Sequence, residues 1–442
     1  MLPAGESCIL GKGGTKNSPR EIGYQHFSAS RNHIFLSHLR RKACINDFCS
    51  KSQCTLATKL KNIVRFCHLW LGLVTGLIVF IMGVTGAIYC FQPELSRLTQ
   101  SELSVEARAQ SFLPISQLKS IAEKQLPGKK PSRILLKGKE SAAIVQFFNK
   151  KKGYNYSVFL DPYTGAVLKT RDMNSEFFRF ILNGHMYLWL PPDIGKPITG
   201  TSTLIFFVMV VSGIILWWPA SKARRKSSYK VKWNASGKRL NYDLHNVFGF
   251  YASWVLIFVI ITGLFWSFEW VGKSEFFLLS GGKSRPKNPA PLSVKLATSD
   301  STPALDRIFN KVTAAYPLAA GYQIGMPQTD SAAILVRAYP DKNTFYRMDN
   351  LYFDQYSANE IPVHYYGKYA DASAAEKAIR MNYDIHVGAI AGLPGRIGMF
   401  FVSLIAASLP VTGFLIWWGK KKKKAAKKPA SLPRRAAVPE LA

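Results

Sequence analysis

The sequence predicts a membrane α-helical protein: a four-helix transmembrane bundle from an internal duplication, with two small α+β modules outside the bilayer. Apolar residues make up 48% of a chain whose formal net charge is +32, so the two kinds of residue must occupy different segments. The apolar residues concentrate in four runs, which are Phe66–Phe91, Gly200–Trp218, Val247–Phe268 and Ile397–Trp418. Each run has about 19–26 residues, enough for a helix to cross a hydrocarbon layer of about 30 Å.

The basic residues predict the orientation of this bundle. The loop over residues 221–240 holds eight Lys and Arg residues, and a run of five lysines begins at Lys420. Under the positive-inside rule both segments are cytoplasmic, and both termini are cytoplasmic with them. Anionic lipid beside these segments accounts for their charge. The sequence has no fold or aromatic-interleaved patch that would indicate a nucleic-acid partner.

The four runs are related in pairs, which predicts the duplication. "HLWLGLVTGLIVFIMGVTG" from His68 matches "HNVFGFYASWVLIFVIITG" from His245, with Gly four positions and Thr-Gly seventeen positions after the His. The stretches from His185 and His386 also match, and each ends in a small residue, Gly, apolar residues and Trp-Trp. A helix-like segment followed by strand-like segments recurs between the runs, so each half should read membrane helix, α+β module, membrane helix.

The predicted segments follow from these boundaries. Proline and glycine lie between His185 or His386 and the apolar run that follows, so each of these histidines should sit on a short helix that is broken from the membrane helix. In chain order we predict a disordered leader (1–58), membrane helix 1 (59–92), module 1 (93–175), a His-bearing helix and membrane helix 2 (176–220), a basic cytoplasmic loop (221–240), membrane helix 3 (241–269), module 2 (270–375), a His-bearing helix and membrane helix 4 (376–419), and a basic cytoplasmic tail (420–442).

Four of the eight histidines occupy repeat-matched positions, at His68, His185, His245 and His386. Two of them close the related pentapeptides "NYDLH" and "NYDIH", in which the Asp is expected to begin a helix. A titratable ring at a membrane helix is costly unless something uses it. A two-fold bundle would bring matched histidines together, and two neutral imidazoles are the axial ligands of a six-coordinate haem. Zinc would require further ligands that do not recur. The alternative is four interfacial histidines bonded to water or lipid headgroups.

Basic residues accompany these histidines. Arg179 lies six positions before His185, and Arg380 lies six positions before His386. Arg65 and Arg239 precede His68 and His245. We expect these cations, Arg179 and Arg380 among them, to pair with haem propionates. Contact with lipid is the alternative.

Several motifs resemble those of the PepSY-associated transmembrane family. They are "LDPYTGAVL" at 160–168, the "H…G…TG" helices, and "IHVGAIAGLPGRIG…TGFLIWW", and the resemblance covers roughly residues 59–420. Within this family the chain is similar to iron-regulated membrane proteins that include bacterial ferric-siderophore reductases. The second module has "FDQYSANEI" where a turn Gly is expected, so this PepSY-like module is predicted to be degenerate.

The resemblance implies a location and a function. The location would be the bacterial inner membrane, with both modules in the periplasm. Two haem b groups would be held by His68, His185, His245 and His386. Electrons would pass from a cytoplasmic or quinol donor to periplasmic ferric iron or a ferric siderophore, which makes the protein a ferric-chelate reductase. The chain has no Gly-rich nucleotide turn, so the donor would be a separate protein.

Two other functions stay open at this point. One is a PepSY-type membrane protein that binds or regulates a partner without redox activity. The other is an iron-chelate permease, because duplicated bundles also suit transport.

Overall fold

The computed structural model describes residues 32–219, 227–287, 289–295 and 301–426. The chain divides into two units, Met1–Asn62 and Ile63–Ala442. In the first unit, residues 32–58 belong to a helix, whereas the sequence predicted a disordered leader there. Residues 1–31 of that leader lie outside the described residues, as do parts of the basic loop and of the tail.

Helices account for most of the described chain, and four of their stretches are long and apolar enough to cross a membrane. We call Lys59–Tyr89, Pro192–Trp217, Gly237–Ser267 and Ala389–Lys421 the first to fourth spans. The helices are α1 (Asn32–Tyr89), α2 (Gln92–Thr99), α3 (Ile115–Gln125), α4 (Phe177–Tyr187), α5 (Pro192–Trp217), α6 (Gly237–Asp243), α7 (Gly249–Ser267), α8 (Glu269–Leu279), α9 (Ala304–Ala315), α10 (Ala374–His386) and α11 (Gly392–Ala426). A π-helical turn, Leu244–Phe248, joins α6 to α7.

The four spans pack around one apolar core. Val79, Phe206, Leu256 and Ala406, one from each span, are all buried within it. The first and fourth spans approach closely, because a Cβ placed on Gly83 would lie 2.9 Å from the Cβ of Ala407. Small residues permit such close packing of helices in lipid, where apolar burial alone does not drive helices together.

The strands of the described residues form one antiparallel sheet to which both predicted modules contribute, a join that the sequence did not indicate. They are β1 (Arg133–Leu136), β2 (Ala143–Asn149), β3 (Tyr154–Leu160), β4 (Val167–Asp172), β5 (Gly321–Gly325), β6 (Ile334–Tyr339), β7 (Asp349–Phe353) and β8 (Glu360–Ile361). Their order is β4-β3-β2-β1-β5-β6-β7-β8. The join is the pairing of β1 with β5, in which Ile134 lies opposite Ile324.

Helices α3 and α9 cover one face of this sheet. The buried side chains Leu118 and Val312 contact a cluster that includes Phe147 and Val336 from the strands. Alternate strand residues supply this cluster, as expected for a sheet with one covered face. The two helices are also joined directly, since the backbone N–H of Ser116 donates to the Asp306 carboxylate at 2.9 Å.

The second module, which was predicted to be degenerate, still forms the turn without the expected Gly. Asp354 accepts hydrogen bonds from the backbone N–H groups of Tyr356 and Ser357, as Asp161 does from Tyr163 and Thr164. Gly165 closes the first turn with φ 77°, and Ala358 closes the second with φ 59°. Alanine therefore takes the left-handed backbone that favours glycine, and the surrounding packing holds it there.

Candidate paired-histidine site

The four repeat-matched histidines lie as two pairs among the spans. The segments that join the first span to the second, and the third to the fourth, both lead into the sheet, so we call that end of the bundle the sheet side and the other end the tail side. His68 and His245 form the tail-side pair, with ring centres 6.5 Å apart and planes at 90°. His185 and His386 form the sheet-side pair, with ring centres 6.1 Å apart and planes at 71°.

Short helices carry the sheet-side histidines, and each is broken from the span that follows. Helix α4 ends at Tyr187, after which Leu188 and Trp189 adopt positive φ values of 54° and 59°. The chain then turns back so tightly that a Cβ on Gly195 would lie 2.2 Å from the Tyr187 carbonyl oxygen. Gly395 approaches the Gly388 carbonyl oxygen equally closely in the other half. The predicted breaks are therefore present, and glycine is required where the backbones meet.

Every ring rests on a Ser/Thr-Gly dipeptide of a neighbouring span. The hydroxyl faces Nδ1, and a Cβ placed on the following glycine would lie 3.3–3.4 Å from the ring Cε1. The Nδ1–oxygen distances are 2.9 Å for His68 with Ser212, 2.9 Å for His245 with Thr412, 3.3 Å for His185 with Thr85 and 3.0 Å for His386 with Thr262. The glycines are Gly213, Gly413, Gly86 and Gly263 respectively. We call each dipeptide a ring cradle.

The cradles determine which ring nitrogen carries the proton. Each hydroxyl donates its own hydrogen to a carbonyl three or four residues earlier in its helix, as Ser212 does to Met209. It can therefore only accept from the ring, so Nδ1 is the protonated nitrogen. In the sheet-side pair the carbonyls of Met82 and Val259 also lie 2.9 and 3.1 Å from Nδ1 and can only accept. Nε2 is consequently unprotonated in all four rings and available as a ligand.

Each pair opens into a cavity between the spans. The sheet-side cavity measures about 410 Å³ and the tail-side cavity about 490 Å³. Both lie within the range of about 300–1,000 Å³ that is usual for cofactor and ligand sites. Val79 and Phe206 line both cavities. The two cavities are therefore neighbours along the bundle, with these two side chains between them.

Of the basic residues that the sequence indicated, Arg65 lines a cavity, whereas Arg179 and Arg380 do not. Arg65 and Lys420 line the tail-side cavity, and Lys196 lines the sheet-side cavity. Arg179 is exposed on α4 and does not line either cavity. Arg380 lies in a buried ion pair with Glu376 at 2.5 Å. Its guanidinium also donates to the Met348 and Gly367 carbonyls, so it ties α10 to the sheet.

The aspartates of the two pentapeptides do not begin helices as the sequence predicted. Asp384 lies in the last turn of α10 and accepts hydrogen bonds from the backbone N–H groups of Phe345 and Tyr346. Burial raises the pKa of Asp384 to about 6, although those two N–H groups act in the opposite direction. Asp243 is likewise buried and pairs with Arg239 at 2.9 Å. These carboxylates anchor the helix turns that carry His386 and His245.

The donor set suits one metal ion held between two imidazoles. Metal–nitrogen bonds of about 2 Å on both sides of an ion, together with the distance from nitrogen to ring centre, separate the ring centres by about 6 Å. The observed separations of 6.5 and 6.1 Å agree with this. Among the described residues no group of three or more His, Cys, Asp or Glu could hold a metal ion, so the donor set is not that of a zinc site. Two imidazoles beside a largely apolar cavity would suit a haem group.

Sequence reasoning found the four histidines but missed the cradles and Lys196. A Ser/Thr-Gly dipeptide occurs in every span, at Thr85, Ser212, Thr262 and Thr412, and this recurrence was a visible signal. Small residues in membrane helices usually serve close helix packing, so the dipeptides alone do not indicate a histidine partner. Their partners lie more than 95 residues away along the chain, so only the folded bundle reveals them.

The fold and the paired histidines define a multi-pass membrane protein that carries an antiparallel sheet at one end of its bundle. The sequence profile described as PepSY-associated TM region matches residues 65–420, and the chain belongs to that family. This match takes in all four ring cradles and both strand-bearing segments. No curated protein matches the chain.

Proposed function

We propose that this protein is a haem-b electron-transfer protein of the inner membrane that passes electrons to ferric iron or a ferric chelate for iron acquisition. The observation that carries the proposal is the geometry of the two histidine pairs. In both pairs the ring centres are about as far apart as those of two imidazoles bound to one metal ion. All four rings are held with Nε2 unprotonated and able to act as a ligand. An interfacial histidine that contacts headgroups has no need of a dedicated cradle on another span.

The chain's own residues prepare each cavity for such a group. When bound, a haem iron supplies reversible one-electron chemistry, whose potential depends on axial ligation and local dielectric. The ring cradles fix the imidazole orientation and keep the proton on Nδ1, away from the ligating nitrogen. The apolar spans exclude water, and the lysines and arginine that line the cavities can compensate carboxylates of a haem.

The orientation is part of the proposal. The basic loop and tail support a cytoplasmic tail side under the positive-inside rule, which places the sheet in the periplasm. A duplication is supported by the recurrence of a helix followed by four strands in each half, α3 with β1–β4 and α9 with β5–β8. Electrons would enter at the tail-side pair, from a separate cytoplasmic protein or a quinol, and leave at the sheet-side pair.

A visible spectrum tests the proposal. The purified protein should show a Soret band that shifts on reduction with dithionite, and ferric chelate should reoxidise it. A colourless protein that binds no haem when haem is added would contradict the proposal and favour a PepSY-type binding protein. Uptake of labelled ferric chelate into vesicles without any reduction would favour a permease instead.

A further inference from the structure

The sheet has a second face, which α3 and α9 do not cover. The strand register places the following residues on this face, opposite the apolar cluster: Arg133, Leu135, Gln146, Gln323, Gly325, Leu335, Arg337, Tyr339 and Asn350. We call it the open face. Its centre is polar although much of it is shielded from solvent, since Gln323 is 9% and Asn350 only 3% exposed.

Two arginines stand at the middle of the open face without an acidic partner. Arg133 lies on β1 and Arg337 on β6, with β5 between them. Neither guanidinium forms a salt bridge within the described residues. Each is instead oriented by an amide through Nε, at 2.6 Å from Arg133 to Gln146 and 3.0 Å from Arg337 to Asn350. Their terminal NH₂ groups, which form the fork that grips carboxylate or phosphate oxygens, therefore have no carboxylate to bind.

Two features lie beside the arginines, a glycine on β5 and a buried amide on β7. Arg133 lies directly opposite Gly325, so no side chain projects from β5 at that point. On the far side, the Nδ2 of Asn350 is buried and has no hydrogen-bond partner among the described residues. An unpartnered buried donor costs about 1–3 kcal/mol unless something accepts from it. This donor stands beside Arg337, on the same face.

The electrostatics also call for an anion. Burial lowers the pKa of Arg133, and the positive charge of Arg337 lowers it further. Burial and the charge of Arg97 on α2 lower the pKa of Lys137, at the end of β1, in the same way. Guanidinium groups stay protonated despite such shifts. Several like charges gathered on a partly buried surface are unfavourable unless an anion lies among them.

We propose that Arg133 and Arg337 form an anion-binding site on the open face, which takes an anionic ligand through carboxylate oxygens. The terminal NH₂ groups of both arginines and the Asn350 amide are the donors. Resting on the proposed function, we further assign the ligand as a carboxylate-bearing ferric chelate.

A chain of neighbouring aromatic rings favours an iron chelate as the ligand. It runs from the open face to the sheet-side pair through Tyr339, Phe345, Tyr383, Trp266 and His386. Successive ring centres lie 5.9, 5.3, 6.4 and 5.3 Å apart. A chelate held at the arginines would therefore be joined to the sheet-side pair by contiguous π systems.

Calorimetric titration of the purified full-length protein tests the site. The ligands are citrate, ferric citrate and inorganic phosphate, and vesicles of phosphatidylglycerol serve as the lipid competitor. The variants are Arg133→Gln and Arg337→Gln, with Arg133→Lys as the conservative change. Lys169→Gln is the matched control, because Lys169 belongs to the same face on the edge strand β4 and its side chain is half exposed. Circular dichroism and gel filtration check that each variant folds.

We expect ferric citrate to bind and each Gln variant to weaken binding about tenfold to a hundredfold, as loss of a charge-assisted pair does. Arg133→Lys should lose less affinity than Arg133→Gln, and the affinity of Lys169→Gln should stay within about twofold of wild type. Equal binding by all folded variants, or no binding of either citrate form, would overturn the site. Displacement of citrate by phosphatidylglycerol vesicles would overturn the chelate assignment in favour of a lipid phosphate. The binding assay does not depend on electron transfer. Ligand binding can therefore be absent from a protein that shows the haem spectrum, and it can be present in a protein that shows no haem spectrum.

Discussion

Nδ1 of His245 lies 2.9 Å from the Thr412 hydroxyl, which has already donated its own hydrogen within the fourth span. The threonine then accepts from the ring at Nδ1, which leaves Nε2 unprotonated. Since partners of this kind orient metal-ligating histidines, this hydrogen bond is expected to govern how tightly the tail-side cavity retains a cofactor.

Replacing Thr412 by Val should therefore weaken haem retention on the tail side by about tenfold or more. Ser408→Ala is the matched control, because its hydroxyl lies one turn earlier on the same helix and donates to the Ile405 carbonyl. Haem release to apomyoglobin measures both variants. Equal release rates for the two variants would show that the Thr412 hydroxyl is not what holds the ring.

Glycine at the ring cradle provides a second test. A Cβ on Gly413 would lie 3.3 Å from the His245 Cε1, so the branched side chain of Gly413→Leu would overlap the ring and should abolish haem binding in the tail-side cavity only. Gly419 lies on the same helix, and a Cβ there would have no described atom within 4 Å, so Gly419→Leu should bind haem normally. Absorbance per protein measures both. Full haem content in Gly413→Leu would contradict the assigned ring position.

The two arginines that the sequence treated alike should behave differently. Arg380→Gln leaves the Glu376 carboxylate buried without its partner and should lower the free energy of unfolding by about 3–5 kcal/mol. Arg179→Gln removes an exposed charge and should change it by no more than about 0.5 kcal/mol. Denaturant unfolding followed by circular dichroism provides the comparison. Haem loss in Arg179→Gln without a change in stability would restore the propionate role that the spacing suggested.

Acid should destabilise the sheet through its turn aspartates. Burial alone would raise the pKa of Asp161, but hydrogen bonds from the Tyr163 and Thr164 N–H groups and the charge of Arg108 bring it below its ordinary value. A carboxyl group whose pKa is lower in the folded state than in the unfolded state stabilises the fold. This contribution is complete above the pKa of the unfolded state, about 3.9, and it is lost as the pH falls through the pKa of the folded state.

The denaturation midpoint of wild type should therefore fall between pH 6 and pH 3 by more than that of Asp161→Asn, which cannot ionise. Asp354 should add a similar loss, because the N–H groups of Ser357, Val294 and Tyr356 likewise lower its pKa against the effect of burial. Parallel pH profiles for wild type and Asp161→Asn would exclude this linkage.

Much of the bundle was predictable because its signals are local. An apolar run of sufficient length identifies a span, and the matched spacing from His68 and from His245 to Gly and Thr-Gly identified the residues that pair. The breaks after Tyr187 and His386 followed from proline and glycine in the intervening stretches. These features depend on residues within one or two helical turns of each other.

The rest depends on contacts between distant segments. Alternation shows which face of β1 is buried, but it does not tell which strand lies beside it, and β5 is nearly two hundred residues away. The six-residue spacing of Arg380 from His386 suggested a cofactor contact, yet Glu376 one turn earlier takes the guanidinium instead. The spacing of two residues shows whether they share a helix face, but it does not show what packs against that face.

The most direct test counts haem against protein in the wild type and in one variant of each pair. Wild type should hold two haems per chain, and His68→Ala and His386→Ala should each hold one. The double variant should hold none, while His364→Ala, which alters an exposed loop histidine, should keep both. Unchanged haem content in the single variants, or no haem in any of the proteins, would contradict the assignment of the pairs as haem ligands.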